Sequence, residues 1–182
     1  MRKKRNLQKD NKSVIIKLDE CKYIGGSYNS SVYLMKDNRV VKIYKDPLDC
    51  KRQYELLKAT AVSNFFPKIY NFCGHYIIRE YVEGISITKY INENKFDHKA
   101  ALKLIKFFEK LDVNKILSLD IKFEDIFVKK DNEFILIDIS SNQLKEDTLY
   151  KILKTLKTLN VLDLFLFELK NYNINLYSKW TK

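Results

Sequence analysis

Between Ile116 and Ser140 the chain reads ILSLDIKFEDIFVKKDNEFILIDIS. This window sets three acids, Asp120, Asp125 and Asp138, around one lysine, Lys122, on a loop and the hairpin after it. Few chemistries match so compact a set. Transfer of a phosphoryl group from ATP is one. It needs a carboxylate to orient a hydroxyl, hard oxygen ligands for Mg²⁺, and cations on the phosphates.

A second cluster lies upstream. Gly25–Val32 reads as a glycine turn between two strands, a place where backbone N–H groups can approach phosphates. Lys42 follows one hairpin later in VVKIYK. Strand alternation puts Val40, Lys42 and Tyr44 on one face and Val41 and Ile43 on the other. A lone strand lysine is ordinarily solvated, and a glycine turn alone is ordinarily just a turn. Their order along the chain makes the pair informative.

These residues need elements to hold them. Residues 18–45 alternate strand-like runs with turn signals, and Pro47 ends that segment. Leu48–Thr60 reads as a helix with Cys50, Gln53, Tyr54 and Leu57 on one face. KIYNFC and HYIIREYV add two strands, giving a five-stranded antiparallel sheet interrupted by one helix. Glu83-Gly84 reads as a linker. Beyond it, Ile87–Asn92 and His98–Leu111 read as helices, the second with Leu102, Ile105, Phe108 and Leu111 as its stripe. Then comes a hairpin, Ile126–Val128 and Phe134–Ile137, and a helical region over 147–170 with Leu149, Ile152, Leu153, Leu156 and Leu159 on one face. The expected domains are a basic tail over 1–12, a mostly β lobe over 13–82 and a mostly α lobe over 83–182.

In this order the residues resemble a protein kinase. The family's GxGxxGxV loop is matched at Gly25, Ser27, Ser30 and Val32, with Gly26 beside them, and its strand lysine at Lys42. REYVEG is similar to the kinase hinge. HRDxKxxN is matched by Ser118, Leu119, Asp120, Lys122 and Asp125, and DFG by Asp138, Ile139 and Ser140. The resemblance covers roughly residues 18–165. It implies a two-lobed α+β fold with an antiparallel β N-lobe and a shortened, mostly α C-lobe. It implies ATP and Mg²⁺ in a cleft between lobes. Lys42 would bind the α- and β-phosphates. Backbone groups of Glu80 and Val82 would meet adenine, with Arg79 lining the back. Asp120 would hold the acceptor hydroxyl in line, Lys122 would neutralise the moving phosphoryl group, and Asp125 and Asp138 would ligate Mg²⁺.

The departures from the pattern are specific. Ser118 and Leu119 stand where the family has histidine and arginine, Asp125 replaces asparagine, and Ser140 replaces the last glycine of DFG. Gln53 falls where a glutamate should face Lys42. Glu55 is two residues on, about 200° around a helix, so only a shifted register brings it in. Only 42 residues follow Ser140, and no APE-like motif is present. The size resembles compact kinases of the Bud32 and RIO type and minimal bacterial effector kinases. Asp147 is the candidate for the buried aspartate that props up the catalytic loop in this family, or else an ordinary helix cap.

The expected function is therefore an ATP-dependent Ser/Thr phosphotransferase acting on a protein. A pseudokinase that binds nucleotide or a partner without turnover is the alternative. A small-molecule kinase is disfavoured by Lys122, since lysine two after the aspartate is a protein-kinase habit. The net charge of +11 admits nucleic-acid binding. Six of the basic residues lie in the first twelve positions, and the others are scattered, so nucleic acid is not the favoured partner. No apolar run approaches the roughly 18 residues of a membrane span, and no signal-type h-region follows the basic start. Cys21, Cys50 and Cys73 are odd in number and scattered, without a CxxC pair. They point to buried thiols in a reducing compartment. The expected location is the cytoplasm, of the cell of origin or of one receiving the protein as an effector.

Overall fold

The computed structural model describes residues 16–60, 64–93, 95–139 and 148–182. The basic segment 1–12, Ser140 and Asp147 lie outside the described residues. The chain is α+β and forms two compact units, residues 1–54 with 68–81 and residues 55–67 with 82–182.

The first unit is built on an antiparallel sheet of β1 (Lys22–Ser27), β2 (Ser30–Leu34), β3 (Arg39–Tyr44), β4 (Ile69–Cys73) and β5 (Tyr76–Glu80). The strand order is β1-β2-β3-β5-β4. The expected five strands are present, but the glycines are not in the turn. Gly25 and Gly26 sit within β1, and Tyr28-Asn29 forms the hairpin tip. Ser27 Oγ and Ser30 Oγ lie 3.0 Å apart across that tip. Gly26 has no room for a side chain, since a Cβ would stand 2.5 Å from the Ser30 carbonyl oxygen. Pro47 does more than end the sheet. It takes the first position of α1 (Pro47–Thr60), where its missing N–H costs nothing, and Asp46 Oδ1 accepts a hydrogen bond from Leu48 N at 2.8 Å. Cys50 and Leu57 are buried, and Gln53 and Tyr54 are half-buried on the same face.

The second unit carries a small sheet and most of the helices. The sheet order is β6-β7-β8, formed by β6 (Gly84–Ser86), β7 (Ile126–Lys129) and β8 (Phe134–Leu136). The expected linker at Glu83-Gly84 is thus partly strand. Gly84 pairs with Lys129, and a Cβ there would meet the Val128 carbonyl oxygen at 2.4 Å. Gly84→Ala should therefore destabilise the fold by about 1–3 kcal/mol. A lowered urea midpoint with unchanged slope would report it.

Ser86 caps α2 (Ile87–Asn92), accepting from Lys89 N, and Asp97 caps α3 (His98–Val113), accepting from Ala100 N. The buried face of α3 is broader than its expected stripe. Ala101, Leu104 and Phe107 join Ile105, Phe108 and Leu111, whereas Leu102 is only half-buried. Phe107 meets Phe65 edge-on at 5.9 Å, and Phe108 meets Phe165 at 6.2 Å. The helical region expected over 147–170 is divided into two helices. α4 (Thr148–Thr158) and α5 (Leu162–Tyr172) are separated at Asn160, whose φ is 57°. A last helix, α6 (Ile174–Trp180), was not anticipated. Asn173 Oδ1 caps it by accepting from Asn175 N and Leu176 N, and Trp180 is buried. No helix among the described residues is long and apolar enough to cross a membrane.

Candidate active site

The first unit assembles its candidate residues on one sheet face. Gly25 pairs with Val32, Val32 with Lys42, Lys42 with Ile77, and Ile77 with Phe72. Directly opposed residues project to the same side, so glycine hairpin and lysine share a surface. α1 lies on that surface, because Tyr54 stacks on Phe72 at 4.2 Å. Lys42 departs from the solvated strand lysine, with only 8 % of its surface exposed. Its Nζ lies 5.1 Å from the Tyr44 ring centroid, a cation–π distance. Burial pushes the Cys50 thiol up to about 12, while the Lys42 ammonium pulls it the other way. The thiol and the lysine are both buried, Cys50 fully and Lys42 nearly so.

Gln53 follows Cys50 by one helical turn and is half-buried, whereas Glu55 is exposed. Ser27 supports the hairpin tip through its hydroxyl, which accepts from Asn29 N at 3.3 Å. Glu80 ends β5. Its carboxylate accepts from Lys68 N at 3.1 Å, and its own N–H donates to the Lys68 carbonyl at 2.8 Å. Its partner in β3 is Arg39, and that of buried Arg79 is Val40. Val82 falls in the second unit, half-buried, just before β6.

The second unit holds the acidic loop. Lys115 turns the chain at φ 59° into a single-turn helix, Ile116–Ser118. Ser118, at the family's histidine position, donates through Oγ to the Lys115 carbonyl at 2.6 Å and so locks this turn. Ile121 and Phe123 anchor the loop as buried side chains, which leaves Asp120, Lys122 and Glu124 on its other side. Those three line an open cleft of about 290 Å³ with Lys151, Ile152 and Thr155 of α4. Lys151 Nζ lies 3.2 Å from Asp120 Oδ1. Lys122 is exposed and makes no ion pair among the described residues. Asp125 closes a second single turn, Phe123–Asp125. Its carbonyl accepts from Ile137 N at 2.9 Å. That bond ties the loop to the residue preceding Asp138, and both aspartates are half-buried.

One support was invisible in the sequence. Thr148, fully buried, donates through Oγ1 to the Leu119 carbonyl at 2.6 Å. It fastens the first turn of α4 to the residue before Asp120. Asp147, the sequence candidate for propping up the loop, lies outside the described residues. Thr148→Val keeps the shape and removes the donor. It should cost about 1–3 kcal/mol for the stranded carbonyl, read as a lowered urea midpoint.

A family model described as the protein-kinase domain of FAM69 matches residues 48–163, more than half of the chain. The chain belongs to this family. The kinase domain so matched contains the whole acidic loop, with Asp120, Lys122, Asp125 and Asp138, and also α1 with Gln53. The glycine hairpin and Lys42 precede the matched span and stand on the geometry above. No curated protein matches the chain.

The kinase domain's metal candidates are the carboxylates of Asp125 and Asp138. Among the described residues, no group of three or more His, Cys, Asp or Glu could hold a metal ion. Two carboxylates are hard oxygen donors of the kind Mg²⁺ takes together with phosphate oxygens and water.

Proposed function

We propose that this kinase domain transfers the γ-phosphoryl group of Mg-ATP to a serine or threonine hydroxyl of a protein. The observation that carries the reading is the cleft shared by Asp120 and Lys122, a carboxylate and an ammonium at the open edge of a loop anchored from beneath. Asp120 accepts the hydroxyl hydrogen and holds the oxygen in line. That oxygen bonds to the γ-phosphorus, the bond from the γ-phosphorus to the bridging oxygen breaks, and ADP leaves. Lys122 offsets charge on the moving group. Lys42 takes the α- and β-phosphates beside the Gly25–Gly26 hairpin, with Gln53 as its neutral neighbour on α1. Asp125 and Asp138 hold Mg²⁺, which when bound neutralises charge on the phosphate oxygens. Backbone groups of Glu80 and Val82 meet the adenine.

The half-buried neutral Gln53 favours one second reading, a nucleotide-binding pseudokinase, because an amide cannot form the ion pair a glutamate makes with lysine. Incubation of the full chain with γ-labelled ATP separates the two. Label transferred by wild type and lost in Asp120→Asn supports the kinase. Mg-ATP binding with equal background label in both chains contradicts it.

A further inference from the structure

α4 turns a row of side chains toward the loop. Thr148, Lys151, Ile152 and Thr155 stand at the i, i+3, i+4 and i+7 spacing of one helix face. Thr148 binds the loop backbone at Leu119, and the other three line the cleft with Asp120. Lys151 approaches one carboxylate oxygen, Oδ1, at 3.2 Å. The other oxygen, Oδ2, receives no hydrogen bond from the described residues. Asp120 is 19 % exposed and Lys151 39 %, so the pair is partly sheltered and not a freely solvated surface contact.

We propose that Lys151 is a positioning residue for Asp120. The terminal torsion of an aspartate is broad, whereas hydroxyl alignment tolerates little displacement. A cation on a helix that is itself fastened to the loop backbone narrows that torsion. It occupies Oδ1 and leaves Oδ2 for the acceptor hydrogen. The residue before Asp120 is Leu119, and the loop's own lysine in the cleft, Lys122, makes no ion pair with Asp120 among the described residues. The proposal rests on the reading above that Asp120 orients the acceptor.

The test uses the full chain with Mg-ATP, with autophosphorylation and ATP hydrolysis as readouts and calorimetry for nucleotide affinity. Lys151→Met should lower kcat about 10- to 100-fold, with KM and Kd for Mg-ATP unchanged. Lys151→Arg should restore most of the rate. Unchanged kcat in Lys151→Met, while Asp120→Asn abolishes turnover, overturns the proposal. So does a loss that Lys151→Arg does not relieve. A wild-type chain without turnover contradicts the phosphotransfer reading, and the role proposed for Lys151 falls with it; turnover in wild type with an unaltered rate in Lys151→Met overturns the Lys151 proposal alone.

Discussion

Asp120→Asn should reduce phosphoryl transfer about 10²- to 10⁴-fold, the usual range for removing a positioned proton acceptor. Affinity for Mg-ATP should stay within about twofold of wild type, because nothing in the proposed roles puts Asp120 on the nucleotide. The substitution keeps size and shape, so the buried anchors Ile121 and Phe123 and the Thr148 bond to Leu119 are retained. It removes the charge that faces Lys151. That ion pair is partly exposed, and its loss should cost no more than about 1 kcal/mol of stability. Transfer of labelled phosphate is measured beside calorimetric Mg-ATP binding on the same preparation. Transfer at the wild-type rate would remove Asp120 from the reaction.

Lys42→Ala should weaken Mg-ATP binding about 10- to 100-fold, the equivalent of one charge-assisted hydrogen bond of about 1.5–3 kcal/mol. The side chain is buried over the Tyr44 ring and is felt by the Cys50 thiol. A cation held in so dry a place acts more strongly on a phosphate than one in water. Alanine also removes the aliphatic stem, so Lys42→Met is the companion variant that keeps the packing. Both variants should lose affinity alike if the charge is what matters. Calorimetric titration with Mg-ATP reads the change. Untouched affinity in both would show that the nucleotide does not meet this lysine.

The elements legible in the sequence were those whose signals are local. Five strands with alternating apolar residues and turn residues between them were read with nearly correct limits, as was α1 from its Cys50, Tyr54 and Leu57 spacing. The acidic loop was legible because its acids fall at fixed steps from one lysine. Other features depend on partners far along the chain. β6 spans three residues and exists through pairing with β7. Its Gly84 looked like a linker residue, and only the close approach of the Val128 carbonyl explains the missing side chain. The break between α4 and α5 was hidden because apolar periodicity runs on through Leu159. Asn160 adopts the left-handed backbone that asparagine tolerates better than most residues. Within the site, Lys151 and Thr148 carry no motif. They reach the loop across 31 and 29 residues of sequence, and no window of sequence could reveal either contact.

The account depends on Lys42 and Lys122 meeting the phosphates of one nucleotide. An acyl-phosphate derivative of ATP acylates lysines held against its phosphates, and peptide mass spectrometry identifies which. The account predicts that Lys42 and Lys122 are modified ahead of the other lysines and that excess Mg-ATP protects both. Modification spread evenly over the lysines, with no protection by Mg-ATP, would contradict it.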